Sequence, residues 1–194
     1  MNQTRPLCLA SSSPRRREIL ERFGLLFKLF APSVDESPLP DELPAQHVER
    51  LSALKVAAVR AQIPEYLVLA ADTVVVLGNE VLGKPAGAED AQRMLHLLAG
   101  KTHEVLSGYA LQDGKSGGKA SGVVTTRVSF RALPPDWIRW YSRLEESRDK
   151  AGAYGIQGIG GAMIEKITGS YNNVVGLPIE EILWKMIDKG WITI

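Results

Sequence analysis

Residues 7–24 read LCLASSSPRRREILERFG, and this stretch predicts a passage from strand to helix. The apolar run from Leu7 to Ala10 is typical of a short buried strand. Serines precede the next segment, Pro14 stands at its first position and Gly24 lies beyond its end. Together these signals predict a helix over residues 14–23. The chain therefore passes from a buried strand through a tight polar turn into a helix.

Three consecutive arginines, residues 15–17, occupy the first two turns of this helix. Positive side chains there oppose the helix dipole, which favours negative charge at the N-terminus. Backbone N–H groups, the hydroxyls of Ser11 and Ser13, and the guanidinium groups of Arg15 and Arg16 instead suit an oligo-anion such as a polyphosphate. By itself the stretch fits a capped surface helix with solvated arginines equally well.

Length and composition limit the class of protein. The 194 residues are enough for a single domain, residues 1–194, with a substantial core. The formal net charge of +1 argues against a nucleic-acid or membrane-surface binder, which would carry a basic excess. The only cysteine, Cys8, suits a reducing compartment, and its place in the first strand predicts a buried structural thiol. No apolar stretch approaches a membrane span of ~20 residues and no signal peptide begins the chain, so we expect a cytoplasmic protein.

Asp72 interrupts the most apolar stretch of the chain, residues 67–77. Continuous rather than alternating hydrophobicity predicts a strand that is covered on both faces. An ionised carboxylate in such a strand costs several kcal/mol to desolvate unless it is paired or bound to a metal. Asp72 is therefore the strongest single-residue indication of a functional site.

Lys55 lies in the middle of the apolar stripe of a helix predicted over residues 45–62. A lysine in that position either extends along the apolar surface to solvent, which is the commoner outcome, or reaches a site at the edge of the core. We favour a site because acidic loops precede and follow the helix. One of them is the long proline-rich connection at residues 31–44, which contains Glu36.

The remaining pattern alternates strands and helices and contains a glycine-rich tract at residues 149–161. Five glycines in thirteen residues permit close backbone approach and exposed N–H groups, or simply a tight turn. The other predicted segments are strands at 25–30, 80–82, 102–112, 120–130 and 163–167, and helices at 88–99, 134–144 and 178–189.

Five motifs also recur in a known family: Ala-Ser-x-Ser-Pro-Arg-Arg at 10–16, Ala-Asp-Thr at 71–73, Gly-Lys-Pro at 83–85, Asp-Lys-Ala-Gly-Ala-Tyr-Gly-Ile-Gln-Gly at 149–158 and Asn-Val-Val-Gly-Leu-Pro at 173–178. With them the sequence resembles the Maf family of nucleoside triphosphate pyrophosphatases over nearly its whole length. The last two motifs resemble the branch that acts on dTTP and UTP.

The resemblance implies an α/β fold with an elongated mixed β-sheet flanked by helices and two lobes around a central cleft, as in inosine triphosphatase. It also implies cleavage between the α and β phosphates, a divalent metal cation (Mg²⁺ or Mn²⁺) and commonly a homodimer. By the family's motifs Asp72 accepts the proton and, with Glu36, holds the metal, while Arg15, Thr73 and Gln157 tune substrate choice. The residues that line the phosphate and metal site are Ser11, Arg16, Glu36, Lys55 and Lys84.

Base selection requires more than Gln157. Its amide pairs with uracil, but flipped by half a turn it pairs equally well with cytosine. Selection therefore requires either a fixed orientation of this amide or a second donor aimed at O4 or O2, for which the backbone N–H groups of Gly155 and of residues 158–161, which cannot flip, are the candidates. We expect dTTP and UTP to be preferred over CTP, and purine triphosphates to be weaker because the pocket is sized for one ring. The sequence departs from the family's motifs just before the glycine-rich tract. Glu145, Glu146 and Ser147 replace the usual Ser-Gly-Glu-Pro turn there.

A second hypothesis belongs to a different class of protein. The same residues would serve a nucleotide-binding regulator of cell division or septum formation, which senses the nucleotide with little turnover. Pyrophosphate release from a panel of nucleoside triphosphates separates the two hypotheses.

Overall fold

The computed structural model describes all 194 residues, Met1–Ile194, as nine strands, six α-helices and three short 3-10 helices. The strands are β1 (Asn2–Gln3), β2 (Leu7–Leu9), β3 (Phe27–Leu29), β4 (Leu67–Leu77), β5 (Glu80–Leu82), β6 (Thr102–Asp113), β7 (Lys119–Phe130), β8 (Ile164–Thr168) and β9 (Ile192–Thr193). The α-helices are α1 (Pro14–Arg22), α2 (Pro44–Arg60), α3 (Ala88–Leu98), α4 (Pro135–Tyr141), α5 (Tyr171–Val175) and α6 (Ile179–Asp188). The 3-10 helices are Glu145–Ser147, Ala151–Ala153 and Ile159–Met163.

Seven strands form one mixed sheet in the order β3-β2-β4-β6-β7-β8, with β5 paired to β4. Strand β2 runs parallel to β3 and β4, so that Leu7 lies opposite both Phe27 and Leu67. Strands β7 and β8 are antiparallel, and β1 and β9 form a separate antiparallel pair. The parallel and antiparallel pairs within one sheet confirm the predicted mixed sheet, and the six α-helices accompany it.

The chain folds into two compact units. The first unit comprises Met1–Asp72, Ser107–Val124 and Gly176–Ile194, and the second comprises Thr73–Leu106 and Thr125–Val175. Strands β4, β6 and β7 each contribute residues to both units. The cleft between two lobes that the family resemblance implies stays a prediction.

Each unit has its own apolar core. In the first unit, β2, β4 and α2 supply most of a cluster made of Cys8, Ala10, Val56, Val59, Val68, Ala70 and Ala110. Cys8 is fully buried, which confirms the predicted buried thiol, and this burial raises its pKa to about 11. In the second unit, helices α3 and α4 pack with β5 and the ends of the long strands around Leu95, Phe130 and Tyr141.

The transition from β2 to α1 has the predicted form. Ser13 precedes the helix in an extended conformation, and Gly24 follows it at φ +70°, a left-handed conformation that ends a helix at little steric cost. The Ser13 side chain makes no cap. Instead, its backbone N–H donates to the Ser11 Oγ at 3.1 Å, which tightens the turn.

Several elements differ from the sequence prediction. Helix α4 ends at Tyr141 rather than near residue 144, because the N–H groups of Arg143 and Leu144 bond three residues back and tighten the chain into a 3-10 turn. Helix α5 and the β1–β9 pair were not predicted. None of the helices is both long and apolar enough to traverse a lipid bilayer.

Gly108 on β6 lies against the backbone of α2. A Cβ at this position would overlap the Val48 carbonyl and lie 2.8 Å from the Glu49 nitrogen. Backbone of a packed helix cannot yield as a side chain can, so we expect Gly108→Ala to lower the free energy of unfolding by about 1–3 kcal/mol in urea titrations. The control Gly83→Ala, whose Cβ would meet nothing within 4 Å, should change stability by less than about 0.5 kcal/mol. Equal effects of the two substitutions would contradict this packing.

Candidate functional site

Lys55 lies between two carboxylates of the first unit. Its Nζ is 2.6 Å from Asp72 Oδ1 and 2.7 Å from Glu36 Oε1. Helix α2 presents Lys55 from its apolar stripe, and β4 presents Asp72 from the buried middle of the strand. Lys55 is only 6% exposed and Asp72 only 9%. The ammonium therefore meets carboxylates instead of extending along the surface to solvent.

The charge of this trio is unbalanced. One ammonium faces two carboxylates, which leaves a formal negative charge at the edge of the core. The Glu36 side chain is 60% exposed, whereas those of Asp72 and Lys55 are nearly enclosed. A buried ion pair with an exposed third member can bind a further cation from the solvent side without breaking the pair.

The polar turn before α1 belongs to the same unit, and the Arg16 side chain forms hydrogen bonds with this turn and with the backbone of Gly176. Its Nε donates to the Gly176 carbonyl at 2.9 Å, and its Nη1 donates to Ser11 Oγ at 3.3 Å. Burial lowers the pKa of Arg16, whereas the charges of Asp72 and Glu36 raise it. Hydrogen bonds thus join Arg16 to Ser11, ion pairs join Lys55 to Asp72 and Glu36, and the charges of both acids act on the Arg16 guanidinium.

Arg50 anchors the loop that carries Glu36. Its Nη2 donates to the Ser37 carbonyl at 3.0 Å, and its Nε and Nη2 bind the Glu42 carboxylate at 2.6 and 2.8 Å. The hydrogen bonds from Arg50, supported by one from His47, hold the pKa of Glu42 well below its usual range. Arg50 was not predicted from the sequence, because its position on the same helix as Lys55 is the only sequence feature that suggests a role for it.

The other predicted site residues lie on β4, at the start of α1 and at two exposed positions of the second unit. Thr73 directly follows Asp72 on β4 and is partly buried, and Arg15 and Ser13 are partly buried at the start of α1. Lys84, after β5, and Gln157, before the last 3-10 helix, are exposed residues of the second unit.

The backbone of the glycine-rich tract is largely satisfied from within the second unit. The N–H of Gly155 donates to the Tyr141 hydroxyl at 3.1 Å, that of Gly160 to Glu146 Oε1 at 3.0 Å, and that of Gly161 to the Gly158 carbonyl at 3.1 Å. The prediction that these three amides offer donors to a base is therefore wrong, because each already has an acceptor.

Glu36 and Asp72 offer the kind of ligand atoms that a divalent metal prefers. Carboxylate oxygens are the ligands that Mg²⁺ prefers, and Mg²⁺ commonly takes one or two of them together with substrate phosphates and water. No cluster of three or more His, Cys, Asp or Glu side chains forms a closed metal site. Two carboxylates would therefore leave most coordination positions of such a metal to other ligands.

Comparison with known proteins gives consistent matches over nearly the whole chain. A family model described as Maf, Maf-like protein, matches residues 6–189. A dTTP/UTP pyrophosphatase from Syntrophus aciditrophicus (strain SB) is 44% identical over 190 residues, which cover 98% of this chain and 93% of the relative. One from Anaeromyxobacter dehalogenans (strain 2CP-1 / ATCC BAA-258) is 50% identical over 177 residues, covering 90% and 89%. One from Pyrococcus furiosus is 44% identical over 184 residues, covering 95% of each.

A solved structure supports the fold. The Staphylococcus aureus Ham1 protein superposes with a TM-score of 0.54 at 11% sequence identity, covering 96% of this chain and 100% of the other. At this identity the likeness concerns the fold alone, and it agrees with the predicted mixed sheet flanked by helices.

Proposed function

The chain belongs to the Maf family, and on that premise we propose that it is a pyrophosphatase that cleaves dTTP and UTP to the nucleoside monophosphate and pyrophosphate. The observation that carries the proposal is the trio of Lys55, Asp72 and Glu36 beside Arg16. It combines a fixed carboxylate with the guanidinium of Arg16, which supplies positive charge for a triphosphate. As the family resemblance implies, residues 1–194 act as one catalytic domain in a homodimer.

Asp72 is the general base. A water oxygen attacks the α-phosphorus, the bond from that phosphorus to the bridging oxygen breaks, and pyrophosphate leaves while Asp72 takes the water's proton. Strand β4 and the contact with Lys55 fix the carboxylate before substrate arrives, which lowers the entropy cost of reaching a reactive geometry.

Glu36 and Asp72 would hold Mg²⁺ or Mn²⁺. When bound there, the cation would polarise the phosphate oxygens and neutralise part of their charge. Lys55 fixes both carboxylates, and Arg50 fixes the loop of Glu36, so the ligands need little rearrangement.

Positive side chains bind the triphosphate and stabilise the charge that builds up on the leaving pyrophosphate. Arg16 is oriented by its bonds to Ser11 and Gly176, which support the start of α1. Ser13 and Arg15 add polar and cationic groups at the same helix start. We assign Lys84 to the phosphates, and Thr73 and Gln157 to substrate choice, on the motifs shared with the family.

Pyrophosphate release tests the function directly. The protein is incubated with Mg²⁺ and dTTP, UTP, CTP, ATP or GTP, and we expect the two uracil-type substrates to turn over fastest. Background rates with every nucleotide would refute the enzyme and favour the nucleotide-binding regulator of cell division. If the protein hydrolyses CTP or GTP as efficiently as UTP, the proposed preference for uracil and thymine over cytosine and purines is refuted.

Gln157→Ala should reduce kcat/KM for UTP and dTTP by roughly 10- to 100-fold, the effect of losing hydrogen bonds to the base. Gln157 is exposed, so the melting temperature and metal affinity should match those of the wild type. The control Gln62→Ala removes an exposed glutamine from the first unit and should leave kcat/KM unchanged. Unaltered UTP hydrolysis by Gln157→Ala would remove Gln157 from the base site.

A further inference from the structure

One hydrogen-bonded pair, Tyr141 and Glu146, holds both ends of the segment that carries Gln157. At the near end, the Gly155 N–H donates to the Tyr141 hydroxyl at 3.1 Å. That hydroxyl donates to Glu146 Oε1 at 2.9 Å. At the far end, the Gly160 N–H donates to the same Oε1 at 3.0 Å, and the Ile159 N–H donates to Oε2 at 3.1 Å. The chain from residue 155 to 160 is thus closed into a loop.

The glycines of this segment leave room for the pair. A Cβ on Gly155 would lie 2.8 Å from Glu146 Oε1, and one on Gly158 would overlap the same carboxylate. A Cβ on Gly160 would lie 2.6 Å from the Gly155 carbonyl oxygen. Gly155 and Gly158 therefore leave the Glu146 carboxylate the room that a side chain would take, and Gly160 leaves that room to Gly155.

The anchor of this arrangement is rigid. Tyr141 is fully buried in the core of the second unit, so its ring cannot shift with the loop. Burial raises the pKa of Tyr141, and its hydroxyl stays a proton donor to Glu146 throughout the neutral range. Glu146 in turn is only partly exposed and lies in a short 3-10 helix.

We propose that Glu146 is a positioning residue that fixes the segment from Gly155 to Gly160 and so sets the affinity for the base of the substrate. This rests on the proposed function, in which Gln157 contacts the base. Gln157 is presented to a base at one place only if its backbone is held still. Three glycines in six residues would otherwise leave that backbone mobile. The carboxylate supplies the restraint by accepting three hydrogen bonds.

Glu146→Gln removes this restraint with little change of shape. A glutamine side chain has one oxygen with two lone pairs, so it cannot accept all three bonds, and its NH₂ faces a backbone donor. Tyr141→Phe removes the acceptor of the Gly155 N–H and the hydroxyl that donates to Glu146, but leaves the bonds from Ile159 and Gly160 to the carboxylate. The matched control is Glu145→Gln, because Glu145 precedes Glu146 on the same 3-10 helix and is exposed.

The measured quantities are kcat and KM for UTP. We expect Glu146→Gln to lower kcat/KM about tenfold, mainly through a higher KM, with kcat nearly retained. Tyr141→Phe should lower kcat/KM less, and Glu145→Gln should leave it at the wild-type value. A wild-type KM in Glu146→Gln overturns the inference. If that variant does not fold, a wild-type KM in Tyr141→Phe overturns it instead.

Hydrogen exchange of residues 155–161 separates this inference from the proposed function. Failure of the wild type to hydrolyse any nucleotide would refute the function alone. The exchange rates then decide the positioning role: faster exchange in Glu146→Gln than in Glu145→Gln supports it, and equal rates overturn it.

Discussion

Asp72→Asn should reduce pyrophosphate release from UTP by roughly 10²–10⁴-fold, the range expected for loss of a general base. The amide keeps the shape of the side chain, but it neither accepts a proton from water nor binds a divalent metal well. Steady-state rates at saturating UTP and Mg²⁺ measure the effect. The exposed Asp188→Asn on α6 serves as the control and should retain full activity.

A folded Asp72→Asn variant with wild-type turnover would remove Asp72 from the role of base. Glu36→Gln then becomes the decisive variant, because Glu36 is the other carboxylate that contacts Lys55. Loss of turnover in Glu36→Gln together with full activity in Asp72→Asn would assign the base to Glu36.

Stability of the same variant depends on the partner of Asp72. Judged from the sequence alone, neutralising a buried charge should leave the melting temperature steady or raise it. In the structure the carboxylate is 2.6 Å from the buried Lys55, so neutralising it leaves an ammonium with only the exposed Glu36 as counter-charge. We therefore expect a loss of about 1–3 kcal/mol, seen as a lower melting temperature without metal.

Lys55→Ala should lower turnover by about 10²-fold or more, the scale of losing one preorganised electrostatic contact in an active site. It leaves two carboxylates without their shared cation, so it should also cost about 3 kcal/mol of stability, as for a buried pair that loses one member. Rates are therefore measured well below the melting temperature, with the folded fraction checked by circular dichroism.

Lys185→Ala provides the matched control, since this lysine is exposed on α6 of the same unit. It should change neither rate nor stability. Wild-type turnover in folded Lys55→Ala would refute a role for the ammonium in catalysis. In the double variant with Asp72→Asn, the stability losses should not add, because the two side chains contact one another.

Much of the fold is predictable because its signals are local. The serine, proline and glycine around α1 set its ends within one or two residues, and the unbroken apolar run of β4 marks a buried strand. Helix α5 escaped prediction because five residues are too few to show periodicity. The β1–β9 pair escaped because each strand has two residues and its partner lies at the other end of the chain.

By itself, the sequence determined the strand-to-helix start, the family and the two residues whose polarity conflicts with their surroundings, Lys55 and Asp72. Only the tertiary structure decided that these two are paired with each other, that Arg50 holds the loop of Glu36, and that Glu146 occupies the amides of the glycine tract. The physical reason is the distance along the sequence over which each kind of interaction acts. Caps, turns and periodicity act over a few residues, whereas a hydrogen-bond partner 13 or 17 residues away is set by the path of the whole chain.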